Sequence, residues 1–509
     1  MTSTNSIDET LGARRRVGGL GALGPLLLAV LCGTAYATLS LLRFRRFETP
    51  SWDNAIFEQA IAGYARLSAP IVDIKGPGYN ILGDHFSPIT ALVAPFYRAF
   101  PDGRTLLVAQ AVLVALSVWV IARAAVRLLG LGGGMAVGIA YGLSFGIASA
   151  VWVDFHEVAF GALFLALAGV AYVERRWVAV MAWSLPLVLV KEDLGLTVFV
   201  IGCVLAVSGA RRVGIATALF GLGGFLLTLY VLIPAFNPGG GYDYVGVIGA
   251  DGAGGPGPWT TFWTGWDDKL PTLLLTFGIT GFLALRSPWV LVAGPTLVWR
   301  FVGDNPYYWG TDWHYALVLM PVVFAAMLDA IVRLRGDGVS GPEDDEERAS
   351  VAADQARTGV AADVDAQPEP IWSRWSPAWL RRYATHVPTL AAGIALVLVA
   401  QYPLARLVEP ETWEASPRAA AAEEVLATVP EGASVETDIG LITHLVTDRT
   451  TYWTGTVGDA VPDWVVIDAQ TGWGGQAPDA VAYAGQKHPG TTWELVLERD
   501  GYQVARRTS

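Results

Sequence analysis

The residues able to do chemistry gather at the ends of long apolar runs. They are Trp52-Asp53-Asn54 with Gly83-Asp84-His85-Phe86, then Asp154-Phe155-His156-Glu157, then Lys191-Glu192-Asp193. Carboxylates can take up a proton, imidazoles titrate near neutral pH, and a lysine offers a compact cation to a phosphate oxygen. Ionisable groups at membrane depth are costly, so several on one face suggest a site rather than chance placement.

Each group also has a purely structural reading. Asp53 opens a short amphipathic stretch containing Ile56, Phe57 and Ile61, where it could cap free backbone N–H groups. The Gly-Asp of Gly83-Asp84 with downstream Pro88 makes an ordinary turn. Asp154 and Glu157 have the spacing of an acidic cap with a glutamate three residues on, although His156 adds nothing to capping. Asp154, His156 and Glu157 together also offer oxygen and imidazole donors for a divalent cation. Lys191-Glu192-Asp193 joins two apolar runs too short to spare residues, which favours function, with an internal ion pair reducing the cost of burial. His314 and Tyr315 open a later apolar run after Asp304-Asn305-Pro306-Tyr307-Tyr308; they anchor an interface or line the same cavity.

What must position these groups is a membrane bundle. Of the 509 residues 53% are hydrophobic and only 16% are charged, against about a quarter charged in soluble proteins. Apolar runs of spanning length recur from residue 17 to residue 403. The spacing predicts eleven spans, near 18–42, 104–127, 134–152, 158–173, 177–191, 194–209, 213–235, 270–285, 288–302, 314–333 and 385–404. The segment 85–100, broken by Pro88 and Pro95, reads as re-entrant or interfacial. Arginines at 14–16, 123, 127, 175, 176, 211, 212, 286, 333, 335, 381 and 382 fall on one side, which the positive-inside rule makes the cytoplasm. The amino terminus is then inside, and loops 43–103, 153–157, 236–269 and 303–313 lie outside with the carboxyl terminus. Arg43, Arg45 and Arg46 break the rule, either as a local exception or because they meet anionic headgroups or a phosphate.

The rest divides by composition. Residues 1–335 form the transmembrane core, with a large first outer loop at 43–103. Residues 336–383, acidic and without hydrophobic periodicity, read as a disordered cytoplasmic linker, and 384–404 as the last span. The loop 236–269 is a glycine-rich tether ending in an aromatic belt, or a flap over a ligand. Residues 405–509 regain soluble character: strands at 433–437, 464–468 and 493–498, a turn at Asp500-Gly501 into 502–506, and a helix over 419–429. The fold class is therefore mainly α, a polytopic helical bundle with a small extracytoplasmic α/β domain. The net charge of -12 comes largely from the linker and tail, and no basic face suits nucleic acid. Cys32 and Cys203 lie in apolar runs and make no disulfide framework.

At these positions the chain resembles the bacterial membrane family known as domain of unknown function 2079. The resemblance rests on Asp53 with Phe57 and Gln59, His85-Phe86-Ser87-Pro88, Gln110, Phe155-His156-Glu157, Lys191-Glu192-Asp193, and His314-Tyr315 with Pro321. In the tail it continues through 435–449, Tyr452 and 462–468. That family in turn resembles the GT-C glycosyltransferases, which use lipid-phosphate sugar donors and carry an acidic residue soon after the first span. The resemblance implies a transferase of the bacterial plasma membrane, taking sugar from a polyprenyl-phosphate donor to a cell-envelope acceptor among membrane lipids. Asp53 would be the base or, with Asp154, His156 and Glu157, a metal ligand. His85, His156 and Glu157 would orient the acceptor or hold a metal. Lys191, with Arg45 or Arg46, would meet the phosphate, with Glu192, Asp193, His314 and Tyr315 lining the substrate site. Many GT-C enzymes have a second acid where this chain has Asn54. No cofactor is assigned, and a divalent cation stays open. The rival reading is a non-enzymatic transporter or lipid-handling protein.

Overall fold

The computed structural model describes residues 19–48, 51–242, 244, 257–335, 377–471, 473 and 475–509. Arg14 to Arg16, most of the glycine-rich loop and residues 336–376 of the linker lie outside the described residues. The remainder is mainly helical, with one small sheet near the carboxyl terminus. A single large apolar core runs through the helices and separate smaller ones through the tail.

Four helical segments are long and apolar enough to cross a membrane: Leu23–Arg45, Gly103–Trp152, Arg211–Phe236 and Ala378–Val399. A fifth arises if Pro306–Ala316 and Leu319–Arg335, bent by 67°, form one broken span. The stretch Gly103–Trp152 folds back on itself. Gly130 breaks the helical conformation at φ 82°, and beyond it Gly134 lies against Val126 and Gly138 against Ala122. A Cβ on Gly134 would stand 2.3 Å from the Val126 nitrogen, so only glycine permits this approach. The predicted spans 104–127 and 134–152 are thus two arms of one hairpin, packed on α1 (Gly19–Arg45).

The sequence-based count of eleven is not established. The stretch 177–191 is an α-helix only over Trp177–Ser184, then a 3-10 turn over Leu185–Leu189 that Pro186 opens. The predicted span 270–285 stops as an α-helix at Gly278, because Gly281 and Phe282 take left-handed backbone angles. The segment 288–302 begins as the 3-10 turn Pro288–Ala293. Val158–Val173 and Leu194–Val207 are apolar but short. The last part of the predicted linker is also corrected: Ala378–Val399 is one helix, so 378–383 belong to it.

Between α1 and the hairpin, the first long loop carries the short helix α2 (Asp53–Ala65) and irregular turns up to Ala94–Ala99. Gly83 lets the segment at Phe236 and Asn237 pass directly over this loop; a Cβ there would meet the Asn237 nitrogen at 2.4 Å. Asn237 Nδ2 then donates to Gly83 O at 2.9 Å.

The tail forms a five-stranded sheet of β1 (Ser434–Thr437), β2 (Thr450–Trp453), β3 (Trp464–Asp468), β4 (Trp493–Arg499) and β5 (Tyr502–Arg507). Its order is β2-β1-β3-β5-β4, parallel among the first three and antiparallel at β5. The helix Ala419–Thr428 packs beside it, and Asp500-Gly501 turns β4 into β5 with two positive φ angles, 47° and 86°. This sheet sits on the loop that carries α2. Ile442 and Val446 pack with Ala55, Ile56, Ala60, Val72 and Ile74 in a separate apolar cluster. Gln59 ties the joint, donating to Thr451 O at 2.9 Å and accepting from Ile74 N at 3.1 Å.

Candidate functional site

The sequence-distant charged groups meet beside the start of α2. Asp53 is the first residue of that helix, but Trp52 holds the capping position and no side chain caps the end. The capping reading of Asp53 therefore fails, and its carboxylate is turned to His156, whose Nε2 is 3.5 Å from Oδ2. Neighbouring Asn54 is fully buried, and neither of its amide atoms has a partner among the described residues.

The turn bearing His156 is fixed from three sides. Asp154 adopts a left-handed backbone at φ 73°, unusual for a residue other than glycine and common at functional sites. Its side chain makes a buried ion pair with Arg43. Gln110, from the hairpin, donates to Ala150 O at 3.1 Å and to Asp154 O, and accepts from His156 N at 2.8 Å. The edge of Phe57 meets both Phe155 and the His156 ring. Glu157 makes no capping bond at the head of the following helix. Its carboxylate faces Lys191 at 3.2 Å, so the capping-box reading of Asp154 and Glu157 is also replaced by ion pairs.

Lys191 emerges where two apolar segments meet, after the 3-10 turn Leu185–Leu189 and before the helix Leu194–Val207. Next to it, Glu192 is buried and bonded on every side. His85 Nδ1 lies 2.8 Å away, Phe86 N donates at 3.2 Å and Tyr242 donates at 2.9 Å. Tyr244 stacks on His85 with centroids 4.6 Å apart. Asp84 pairs with Lys75 at 3.1 Å. On the other side His314 stacks on His156 at 3.6 Å and touches Tyr315 at 4.3 Å.

These contacts set the charge states. Burial pushes the Asp53 carboxyl up, but His156, Ser51 and the charge of Lys191 outweigh it and bring it below its ordinary value. Burial pulls the His156 imidazole down, while Asp53 and Glu157 lift it above 6.5. His85 is lifted in the same way, chiefly by Glu192 against burial. Burial acts to raise Glu192, yet His85 and Lys191 hold it down at about 2. Asp193 goes the other way: burial lifts it to about 6 despite the pull of Lys191. The cluster thus favours the ionised carboxylate at Asp53 and the protonated imidazoles at His156 and His85, beside Lys191.

The structure therefore brings together Asp53, His85, His156, Glu157, Lys191, Glu192, Asp193, His314 and Tyr315. It does not bring in the two arginines expected at a phosphate. Arg45 points outward, and Arg46 pairs with Glu48 while donating to the Glu411 and Glu414 carbonyls. Arg43, in the last turn of α1 and absent from the sequence-based set of site residues, is the arginine that reaches the site. Tyr242 and Tyr244 were missed as well; two tyrosines at the head of a glycine-rich loop were the available signal. The expected cation donors are spent elsewhere, Asp154 on Arg43 and Glu157 on Lys191. Among the described residues no three His, Cys, Asp or Glu side chains are grouped to hold a metal ion, so this donor set does not fit one.

Comparison with known proteins gives a family and a distant structural likeness. No curated protein matches the chain. Among solved structures it is similar to the crystal structure of ArnT from Cupriavidus metallidurans bound to undecaprenyl phosphate. Identity is 15%, over 94% of this chain and 97% of that one, with a TM-score of 0.48. The family profile described as a predicted membrane protein, DUF2079, matches residues 43–504, which includes every residue of the cluster. With its long apolar helices and a match over most of its length, this chain is a membrane protein and belongs to the DUF2079 family.

Proposed function

We propose that this protein is an integral membrane glycosyltransferase. It moves a sugar from a polyprenyl-phosphate donor to a cell-envelope acceptor at the outer face of the bacterial plasma membrane. The observation that carries the reading is the meeting of Asp53, His156, Glu157 and Lys191, from three separate segments, in one ion-paired cluster beside the first loop. A structural network has no need to leave Asp53 ionised and half-buried next to an imidazole at the head of an uncapped helix.

The chemistry follows from the charge states. Asp53 accepts the proton of an acceptor hydroxyl as that oxygen bonds to the anomeric carbon of the sugar. The bond from that carbon to the phosphate oxygen breaks, and its electron pair leaves with the polyprenyl phosphate. Lys191 Nζ carries three N–H donors; with Glu157 holding one side, the others face the growing phosphate charge. His156 keeps the Asp53 carboxylate ionised and oriented, and His85, held by Glu192, supplies a second positive group. In the corresponding topology the amino terminus is cytoplasmic, eleven passes cross the bilayer counting broken helices, and the tail sheet lies outside against the first loop.

Purified protein in lipid nanodiscs, screened with labelled polyprenyl-phosphate sugars, tests the reading. The wild type should release sugar from the lipid, and Asp53→Ala should abolish release while its elution profile and thermal midpoint stay those of the wild type. Donor binding without release would favour a lipid-handling role, and retained activity in Asp53→Ala would remove the base assignment.

A further inference from the structure

A buried cation close to the cluster, Arg300, has no counter-ion among the described residues. Arg300, in the helix Gly294–Val302, is fully buried and, among the described residues, has no carboxylate within ion-pair distance. Of the cluster acids, Asp53, Glu157, Glu192 and Asp154 face His156, Lys191, His85 and Arg43, and Asp193 makes no ion pair among the described residues. A buried charge without a partner costs several kcal/mol (order of magnitude), so such groups are normally paired. Arg300 Nε donates to Tyr308 O at 2.7 Å and Nη2 to Gly310 O at 2.6 Å, which orients the guanidinium. Its third nitrogen, Nη1, is buried and has no partner among the described residues.

A chain of rings joins this arginine to the cluster. The guanidinium carbon lies 5.8 Å from the Tyr315 ring centroid; Tyr315 touches His314, and His314 stacks on His156. Among the described residues His314 Nδ1 is also buried without a partner, so two orphaned polar nitrogens belong to side chains that both lie against Tyr315. Neither can be satisfied by the carboxylates already paired.

We propose that Arg300 Nη1 is a binding group for a phosphate-type oxyanion, completing from the 300–315 side the cationic wall that Lys191 begins. The inference deepens the glycosyltransferase reading and rests on it for the source of the anion, which is a lipid-borne phosphate or a phosphate on a soluble acceptor. Arginine suits the task because its planar fork can hold two backbone carbonyls with one edge and present the remaining N–H groups to an oxyanion.

The test uses the full chain in nanodiscs, with polyprenyl monophosphate in the bilayer in one arm and inorganic phosphate in the buffer in the other. Ligand binding is read from intrinsic tryptophan fluorescence and from the rise in thermal midpoint. The wild type should bind at least one of the two, and Arg300→Gln should weaken that binding about 10- to 100-fold, as for loss of a charge-assisted hydrogen bond. Arg300→Lys, which keeps the charge but not the fork, should fall between them and decides the matter if the glutamine variant does not fold. Binding only in the lipid arm assigns the anion to a lipid phosphate; binding in both assigns it to the phosphate group alone. Variants that lose stability yet bind as the wild type does, or a wild type that binds neither ligand, overturn the inference. Sugar release by the wild type with normal phosphate binding in both variants would overturn this role of Arg300 and leave the glycosyltransferase reading standing.

Discussion

Replacing Lys191 with methionine should expose how the cluster is held together. Lys191 Nζ stands 3.2 Å from Glu157, whose side chain is only 2% exposed. At that separation and an effective dielectric of about 20, the attraction is about 5 kcal/mol. Much of it offsets the cost of burying both charges. Removing one partner leaves the other charge uncompensated, and such deletions typically cost about 3–5 kcal/mol. Glu192 keeps His85, Phe86 N and Tyr242, so the damage centres on Glu157. Lys191→Met should therefore lose about 3–5 kcal/mol of stability, measured by denaturant titration in mixed micelles. Adding Glu157→Gln should recover most of that loss, because an amide needs no counter-ion. If the double variant is as unstable as Lys191→Met alone, the two residues are not coupled and the ion-pair account fails.

Two other substitutions test the charge states. In Glu192→Gln, His85 loses the anion that lifts it against burial, so its proton should leave at lower pH and the alkaline limb of transfer activity should move down. Glu192 itself is held at about 2, below its ordinary 4.5, so its stabilising effect is present above pH 4.5 and lost as pH falls through 2. Glu192→Gln should thus be less stable than wild type at pH 7, and an unchanged pH profile and midpoint would contradict the contacts described. Glu58 in α2 behaves oppositely: it is fully buried and burial lifts it to about 8, although Thr447 and Tyr97 donate to it. The folded state keeps this proton while the unfolded chain releases it, so stability falls as pH rises from 4.5 through 8. Glu58→Gln should flatten that decline and be the more stable form at pH 8.5 by thermal unfolding; a variant with the wild-type slope would count against it.

Much of the site could be read from the chain because its residues interrupt apolar runs, where polar groups need a reason. Asp53, His156, Lys191 and His314 each stand at such a break. What could not be read was the partner of each charge. Arg43 was visible as an exception to the charge rule, but only the left-handed turn at Asp154 shows where it points. Arg300 was hidden inside an apolar run, indistinguishable from an interfacial anchor. Spans were harder than sites. Pro186, and the left-handed Gly281 and Phe282, break helices within runs whose hydropathy is uniform, so composition counts crossings that the backbone does not complete as single helices. In the tail, the Asp500-Gly501 hairpin carried its own turn chemistry. Strand β2 did not, since Thr450-Thr451-Tyr452-Trp453 has β-prone residues without alternation and is set by pairing with β1.

The central claim is that a lipid phosphate is handled where Asp53, His156 and Lys191 meet. The most direct measurement is a cryo-electron microscopy map of the full chain in nanodiscs containing polyprenyl phosphate. Phosphate density within hydrogen-bonding reach of Lys191 Nζ, with its chain passing into the bilayer beside Asp53, is the predicted result. A phosphate bound at the opposite end of the bundle, near Arg175, Asp329 and Arg333, with the Lys191 cluster vacant at saturating lipid, would contradict it.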